Sequence, residues 1–143
     1  MPLVKAGTCI YLPDADSEKT RLHVVLNDAW APPGKPPGFA VVSLSSSVDT
    51  DRTTILNAGE HDYVDKETYV VYPWIKWKDA AKLEAEIATD MSKRHHHSCS
   101  PELLKRIHDG VFESPHTKEN VYKFCRLALN RTDVPSWEEV NPE

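Results

Sequence analysis

The chain has 143 residues, of which 40% are hydrophobic and 27% charged, with a net charge of −5 when the histidines are neutral. This length and composition are typical of one globular domain. No apolar run approaches the ~20 residues of a membrane-spanning helix, and no leader precedes the first apolar run, so we expect a cytoplasmic protein with no membrane contact. The three cysteines lack CxxC spacing, which predicts reduced thiols.

The acidic net charge argues against a general nucleic-acid binder, but the charge is unevenly distributed. Residues 92–131 contain eight Lys or Arg against four Asp or Glu, together with five of the seven histidines. The histidine reference pKa is about 6.5, so the positive charge of this region grows below that pH.

The first half of the chain predicts five short strands, because β-branched and aromatic residues recur in runs bounded by turn residues. The predicted strands are residues 7–12, 21–27, 39–44, 53–56 and 69–72. Residues 31–38 hold four prolines and two glycines and therefore predict a projecting loop. Asn57 to Gly59 predicts a turn, since glycine tolerates positive φ. Pro73 is expected to end the fifth strand.

The second half predicts helices, because apolar residues recur three or four apart. The predicted helices are residues 78–91, 100–110 and 114–129. Ser100 and Pro101 form a helix start, and Gly110 is typical of a helix end. The whole is an α+β protein of one domain. It comprises a small antiparallel barrel over residues 1–77, a helical extension over 78–130 packed on it, and an acidic tail over 131–143 pinned by Trp137.

Polar side chains are concentrated on the loop between the fourth and fifth strands, where His61, Tyr63 and Lys66 lie. Such a loop is either a binding and catalytic segment or a solvated connection. The run from His95 to His97, followed by Cys99, suggests a metal-binding site. Adjacent ligands do not naturally converge and zinc spacings are absent, so we expect no metal and no cofactor. Trp74 and Trp77 either stack nucleic-acid bases or close the barrel against a helix.

Three segments, GTCIYLP, RLHVVLND and VVSLSSS, follow one another in residues 7–47 with a Gly/Pro loop before the third. Over residues 5–72 this order resembles the first half of the PemK/MazF group of toxin ribonucleases. The resemblance implies an SH3-like barrel, often dimeric, that cuts single-stranded RNA without metal and is blocked by an antitoxin protein. The C-terminal helices lie outside the short toxin pattern and look like those of larger toxin-like proteins.

Metal-free RNA cleavage needs a base, an acid and a cation that stabilises the phosphorane. The resemblance places Arg21 and Ser45 at the family's strand-start arginine and strand-end threonine, so we expect both to hold the scissile phosphate. His61 is the best candidate for proton transfer, because a loop histidine can titrate near neutrality. The expected substrate-binding residues are His23, Ser46, Tyr63 and Lys66.

Each of these side chains also has a purely structural interpretation. Arg21 could pair with Asp16 or Glu18 on the surface, and the histidines and serines could serve local hydrogen bonding. The alternative function is a non-catalytic SH3-like module that binds a protein or nucleic-acid partner in a toxin–antitoxin or phage-related locus. The catalytic hypothesis requires Arg21, Ser45 and His61 to share one groove.

Overall fold

The computed structural model describes residues 2–13, 19–47 and 51–142, so Asp16 and Glu18 lie outside the described residues. The strands are β1 (Cys9–Pro13), β2 (Thr20–Val25), β3 (Gly38–Ser45), β4 (Ile55–Leu56) and β5 (Thr68–Asp79). The helices are α1 (Ala80–Thr89), α2 (Pro101–Glu113), α3 (Glu119–Ala128) and α4 (Trp137–Val140), with a short 3-10 turn at Met91–Lys93. The predicted α+β class is confirmed. Within the described ranges, none of the helices has the length and apolar character needed to cross a bilayer.

The five strands form one antiparallel sheet in the order β1-β2-β3-β5-β4, curled into a half-barrel. The prediction that Pro73 ends the last strand is wrong, because β5 runs through it from Thr68 to Asp79, 12 residues in all. The pairing of β3 with β5 jumps from Val41↔Lys76 to Ser43↔Val71, which leaves extra residues on β5 at this point. Pro73 lies in that bulge, where its missing N–H breaks no ladder bond.

Helices cover both faces of the sheet. Side chains alternate between the two faces of a strand, and the buried residues divide accordingly into two clusters. On one face Leu103 and Ile107 of α2 pack against β2, β3 and β5 residues such as Val24 and Val70. On the other face Leu83 of α1 packs against strand residues that include Phe39.

Helix α2 begins as the sequence predicts, with the Ser100 hydroxyl accepting a hydrogen bond from the Leu103 N–H and Pro101 in the first turn. The predicted end at Gly110 is wrong, since the helix continues to Glu113. Gly110 lies instead where α2 crosses β5. A Cβ at this position would come within 1.9 Å of the Tyr72 hydroxyl oxygen. The glycine therefore permits close packing of helix on sheet and does not terminate the helix.

The prediction that α3 begins at Ser114 is also wrong, because the helix starts at Glu119. Ser114 caps the end of α2, and its hydroxyl donates a 2.5 Å hydrogen bond to the buried carboxylate of Asp51. Trp137 anchors the C-terminal tail, as predicted. Its ring packs edge-on against that of Tyr122, with the two ring centroids 5.6 Å apart. The tail also forms α4, which begins with a capping box.

Candidate functional site

The first predicted site residues, Arg21 and Ser45, meet at one end of the sheet. The antiparallel ladder pairs His23 of β2 with Ser43 of β3, and Arg21 and Ser45 each lie two residues beyond that pair, at the same end of the sheet. Arg21 Nη1 donates a 3.0 Å hydrogen bond to Ser45 Oγ. The Ser47 N–H donates to the same oxygen at 3.2 Å. These bonds fix the position of the guanidinium group at the end of the strand.

Beside Arg21 is a cavity of about 250 Å³ lined by polar side chains from β2, the end of β3 and the loop before β5. Its walls are Arg21, Leu44, Ser46, Tyr63, Asp65 and Thr68. Pockets that enclose drug-sized ligands start at about 300 Å³, so this space suits a fragment of a polymer, such as one phosphate with its sugar. A guanidinium group, a carboxylate and hydroxyl groups therefore converge on a space of that size.

His61, the predicted proton-transfer residue, does not line this cavity. The ring is buried, and its Nδ1 accepts a 3.0 Å hydrogen bond from the Tyr63 N–H. Its Nε2 lies 3.0 Å from the His97 carbonyl oxygen, so this nitrogen carries the proton and donates. Because both ring nitrogens are engaged, His61 holds the loop in place. The predicted sharing of one groove with Arg21 and Ser45 has no support in this geometry.

The four predicted substrate-binding residues divide equally. Ser46 and Tyr63 line the cavity, and the Tyr63 side chain is 38% exposed. His23 is buried, with Nδ1 3.0 Å from the Arg21 carbonyl oxygen, and Lys66 is exposed, but neither lines the cavity. Sequence reasoning missed Asp65, which lies on the loop that it had selected, and Thr68, the first residue of β5, also lines the cavity.

A second group of polar side chains surrounds His61. The segment after the 3-10 turn runs along β1. The His95 N–H donates to the Cys9 carbonyl and the Cys99 N–H donates to the Gly7 carbonyl, each at 2.9 Å. This pairing brings the His95 ring to 5.0 Å from the His61 ring. We call His61, Asp62, His95, His96, His97, Cys9 and Cys99 the histidine–cysteine cluster.

Burial and neighbouring charge shift several pKa values in the histidine–cysteine cluster. Burial, with the nearby His61 and His96 rings, lowers the pKa of His95. The sulfur atoms of Cys9 and Cys99 lie 3.9 Å apart. The hydrogen bond between the two thiols raises the pKa of Cys9, and burial raises it further. The same hydrogen bond lowers the pKa of Cys99. All three cysteines are free thiols.

A larger groove of about 750 Å³ lies elsewhere, between the sheet and α3. Its walls are mostly apolar and include Trp30, Trp77, Phe124 and Leu127, with lysines such as Lys35 and Lys118 among the lining residues. Trp77 is 45% exposed. Its indole lies against Gly38, where a Cβ would come within 2.0 Å of the ring nitrogen. Trp77 therefore forms a groove wall, and its surface is accessible to a partner.

Comparison of the chain with family models, curated proteins and solved structures gives no match. The Arg21 cavity and the groove at Trp77 are both concave surfaces that a ligand can reach.

Proposed function

We propose that the protein is a toxin-like endoribonuclease that cuts cytosolic single-stranded RNA without a metal ion, on a sheet of the SH3-like barrel type. The observation that carries this proposal is the 3.0 Å hydrogen bond that fixes the Arg21 guanidinium against Ser45 on the wall of a polar cavity. An arginine fork so held matches two phosphate oxygens. The resemblance of the N-terminal strands supports the same reaction, and it extends the proposal to a homodimer and an antitoxin that covers the cavity.

The lining residues supply the groups that this reaction needs. Arg21 binds the scissile phosphate and stabilises the charge that develops on the phosphorane, and the Ser46 hydroxyl donates a further hydrogen bond. The Asp65 carboxylate takes the proton of the 2′-hydroxyl, whose oxygen then attacks phosphorus. The bond to the 5′-oxygen breaks, and that oxygen leaves with a proton donated by the Tyr63 hydroxyl or by water. The products are a 2′,3′-cyclic phosphate and a 5′-hydroxyl end.

The test is incubation of purified protein with end-labelled single-stranded RNA in excess chelator. We expect fragments that end in a cyclic phosphate, and we expect Asp65→Asn to slow their formation by about 100-fold or more, the range of a general base. Lys82→Ala, an exposed change on α1, is the matched control and should cleave at the native rate. Equal cleavage by all three proteins would indicate a contaminating nuclease, and no cleavage by the native protein would refute the activity.

The groove at Trp77 favours a second candidate function, a non-catalytic module that binds another protein. Its apolar walls suit large aliphatic or aromatic side chains, and its lysines suit acidic ones. We infer that its occupant would be an acidic amphipathic peptide segment. A single-stranded nucleic acid would also use aromatic rings and lysines, but the proline and aliphatic walls offer fewer partners for phosphates and base edges.

The two occupants are distinguished by titrating the protein with a peptide of alternating glutamate and leucine and, separately, with a twelve-nucleotide uridine strand, following tryptophan fluorescence. If the groove binds protein, the peptide binds and Trp77→Ala weakens it by about 10-fold or more, while Arg21→Ala has no effect. If the uridine strand binds instead and is weakened by Trp77→Ala, the groove is a nucleic-acid surface. Binding of neither probe refutes this second candidate.

A further inference from the structure

Asp62, His96 and His97 present one ligand atom each, and these atoms all lie within 4.8 Å of one another. All three side chains are exposed. They belong to the histidine–cysteine cluster and lie outside the lining of the Arg21 cavity. Sequence reasoning rejected a metal here because neighbouring histidines do not converge. The third ligand comes from a segment more than thirty residues away, which that reasoning did not consider.

A hydrogen bond from a side chain to the backbone links the two segments beneath these side chains, and a second one orders the histidine segment itself. The ring of His61, next to Asp62, donates to the His97 carbonyl at 3.0 Å, and the His97 N–H donates to His95 Nδ1 at 2.9 Å. The same segment is bonded to β1 through Cys99. In this conformation the His96 and His97 rings lie 4.3 Å apart, so the two imidazoles point to the same side of the chain.

We propose that Asp62, His96 and His97 form a surface binding site for a divalent late first-row metal ion, represented by Zn²⁺. Two imidazoles and one carboxylate are zinc ligands, whereas Mg²⁺ and Ca²⁺ select all-oxygen sites. Ligand atoms bound at about 2.0–2.1 Å in a tetrahedron are about 3.4 Å apart. Asp62 Oδ2 and His96 Nε2 are already 3.8 Å apart, so small rotations of exposed side chains complete the site.

The buried neighbour His95 contributes to this site without being one of its ligands. Its Nε2 lies 3.7 Å from Asp62 Oδ2, and its Nδ1 accepts the His97 N–H, so it orients both the carboxylate and the backbone of a ligand residue. The exposed position of the three ligands leaves the remaining coordination site to water. The bound ion would join the loop that carries Tyr63 and Asp65 to the segment along β1.

The test is calorimetric titration of the full chain, free of any affinity tag and stripped with chelator, with ZnCl₂ at pH 7.5. We expect one ion per chain with micromolar affinity. We also expect a melting temperature about 5 °C higher at a free zinc concentration ten times Kd, because only the folded chain holds the site. Asp62→Asn and the double change His96→Ala, His97→Ala should each weaken binding at least 10-fold, with MgCl₂ giving no heat.

His116→Ala is the matched control, since it removes an exposed histidine outside the cluster and should bind zinc like the native chain. The melting curve of each variant without metal checks its fold. Unchanged affinity in the Asp62 and histidine variants would overturn the proposal. So would loss of binding in Cys99→Ser with Asp62→Asn unaffected, which would place the ion on the thiols of Cys9 and Cys99. The readout is binding, so this test is independent of RNA cleavage.

Discussion

Replacing Arg21 by alanine is expected to lower kcat/KM for cleavage of single-stranded RNA by about 100-fold or more, the cost of removing one preorganised group that stabilises transition-state charge. Arg21 is the cation on the wall of the cavity, and Ser45 holds it at 3.0 Å. Without it, hydroxyl groups are the donors that remain among the described residues lining the cavity. The measurement is the initial rate of fragment formation in chelator, at substrate concentrations below KM.

Two further variants separate the charge of Arg21 from its geometry. Arg21→Lys keeps a positive charge but loses the planar fork. We therefore expect its kcat/KM to be about 10-fold below that of the native chain and above that of the alanine variant. Ser45→Ala keeps the arginine but removes the oxygen that positions it, so a smaller loss is expected, mainly in kcat. If Arg21→Ala cleaves as fast as the native chain and melts at the same temperature, the cavity is not the active site.

Much of the fold could be predicted from the sequence because its signals are local. Runs of β-branched residues marked all five strands, although β4 contains only Ile55 and Leu56. Apolar spacing marked the three longer helices, and the Ser100 cap set the start of α2. Gly59 has φ +91°, as the predicted turn requires. Each of these features depends on a residue and its near neighbours in the chain.

The errors in the fold arise where a distant contact overrides a local preference. Pro73 stays within β5 because β3, a separate strand, pairs with irregular register at that point. Gly110 lies within α2 because the Tyr72 side chain leaves no room for a Cβ at this position of the helix. Ser114 caps one helix and does not start the next, because its hydroxyl donates a hydrogen bond to the distant Asp51 carboxylate. None of these three contacts can be predicted from the residues next to Pro73, Gly110 or Ser114 in the sequence.

The same division applies to the candidate site. Arg21 and Ser45 were selected because the resemblance to the toxin ribonucleases matches them to that family's strand-start arginine and strand-end threonine, and a 3.0 Å hydrogen bond joins them in the structure. His61 was selected for its residue type, and the partner that engages its Nε2 is the carbonyl of His97, which is 36 positions away. The proposed metal ligands depend on that same long-range contact. One sequence read by itself gives no signal for which loop contacts which distant segment.

The tight packing at Gly110 yields the largest effect on stability that we expect. Gly110→Ala should lower the free energy of unfolding by about 2–3 kcal/mol, the cost of overpacking a close-packed core. The new Cβ would lie 1.9 Å from the Tyr72 hydroxyl oxygen and 2.4 Å from Thr54 Oγ1, so these atoms must move. Alanine is otherwise the better helix former by about 1 kcal/mol, so propensity alone predicts the opposite sign.

Movement of Tyr72 is costly because its hydroxyl is hydrogen-bonded to two buried partners. It donates to the Ile107 carbonyl at 2.9 Å and lies 2.7 Å from Thr54 Oγ1, inside the core between β5 and α2. Burial raises the pKa of Tyr72, so the hydroxyl keeps its proton and remains a donor throughout the physiological range. Displacing it leaves the buried Tyr72 hydroxyl without its acceptor, which costs about 1–3 kcal/mol on its own.

Urea unfolding followed by circular dichroism measures the change, and a double-mutant cycle with Tyr72→Phe assigns it. Tyr72→Phe removes the oxygen nearest to the new Cβ, so the double variant should lose less stability than the sum of the two single variants. Ala85→Gly, at an exposed position of α1, gives the propensity term alone, about 1 kcal/mol in favour of alanine. If Gly110→Ala is as stable as the native chain, or the cycle is additive, then α2 does not cross β5 at this residue.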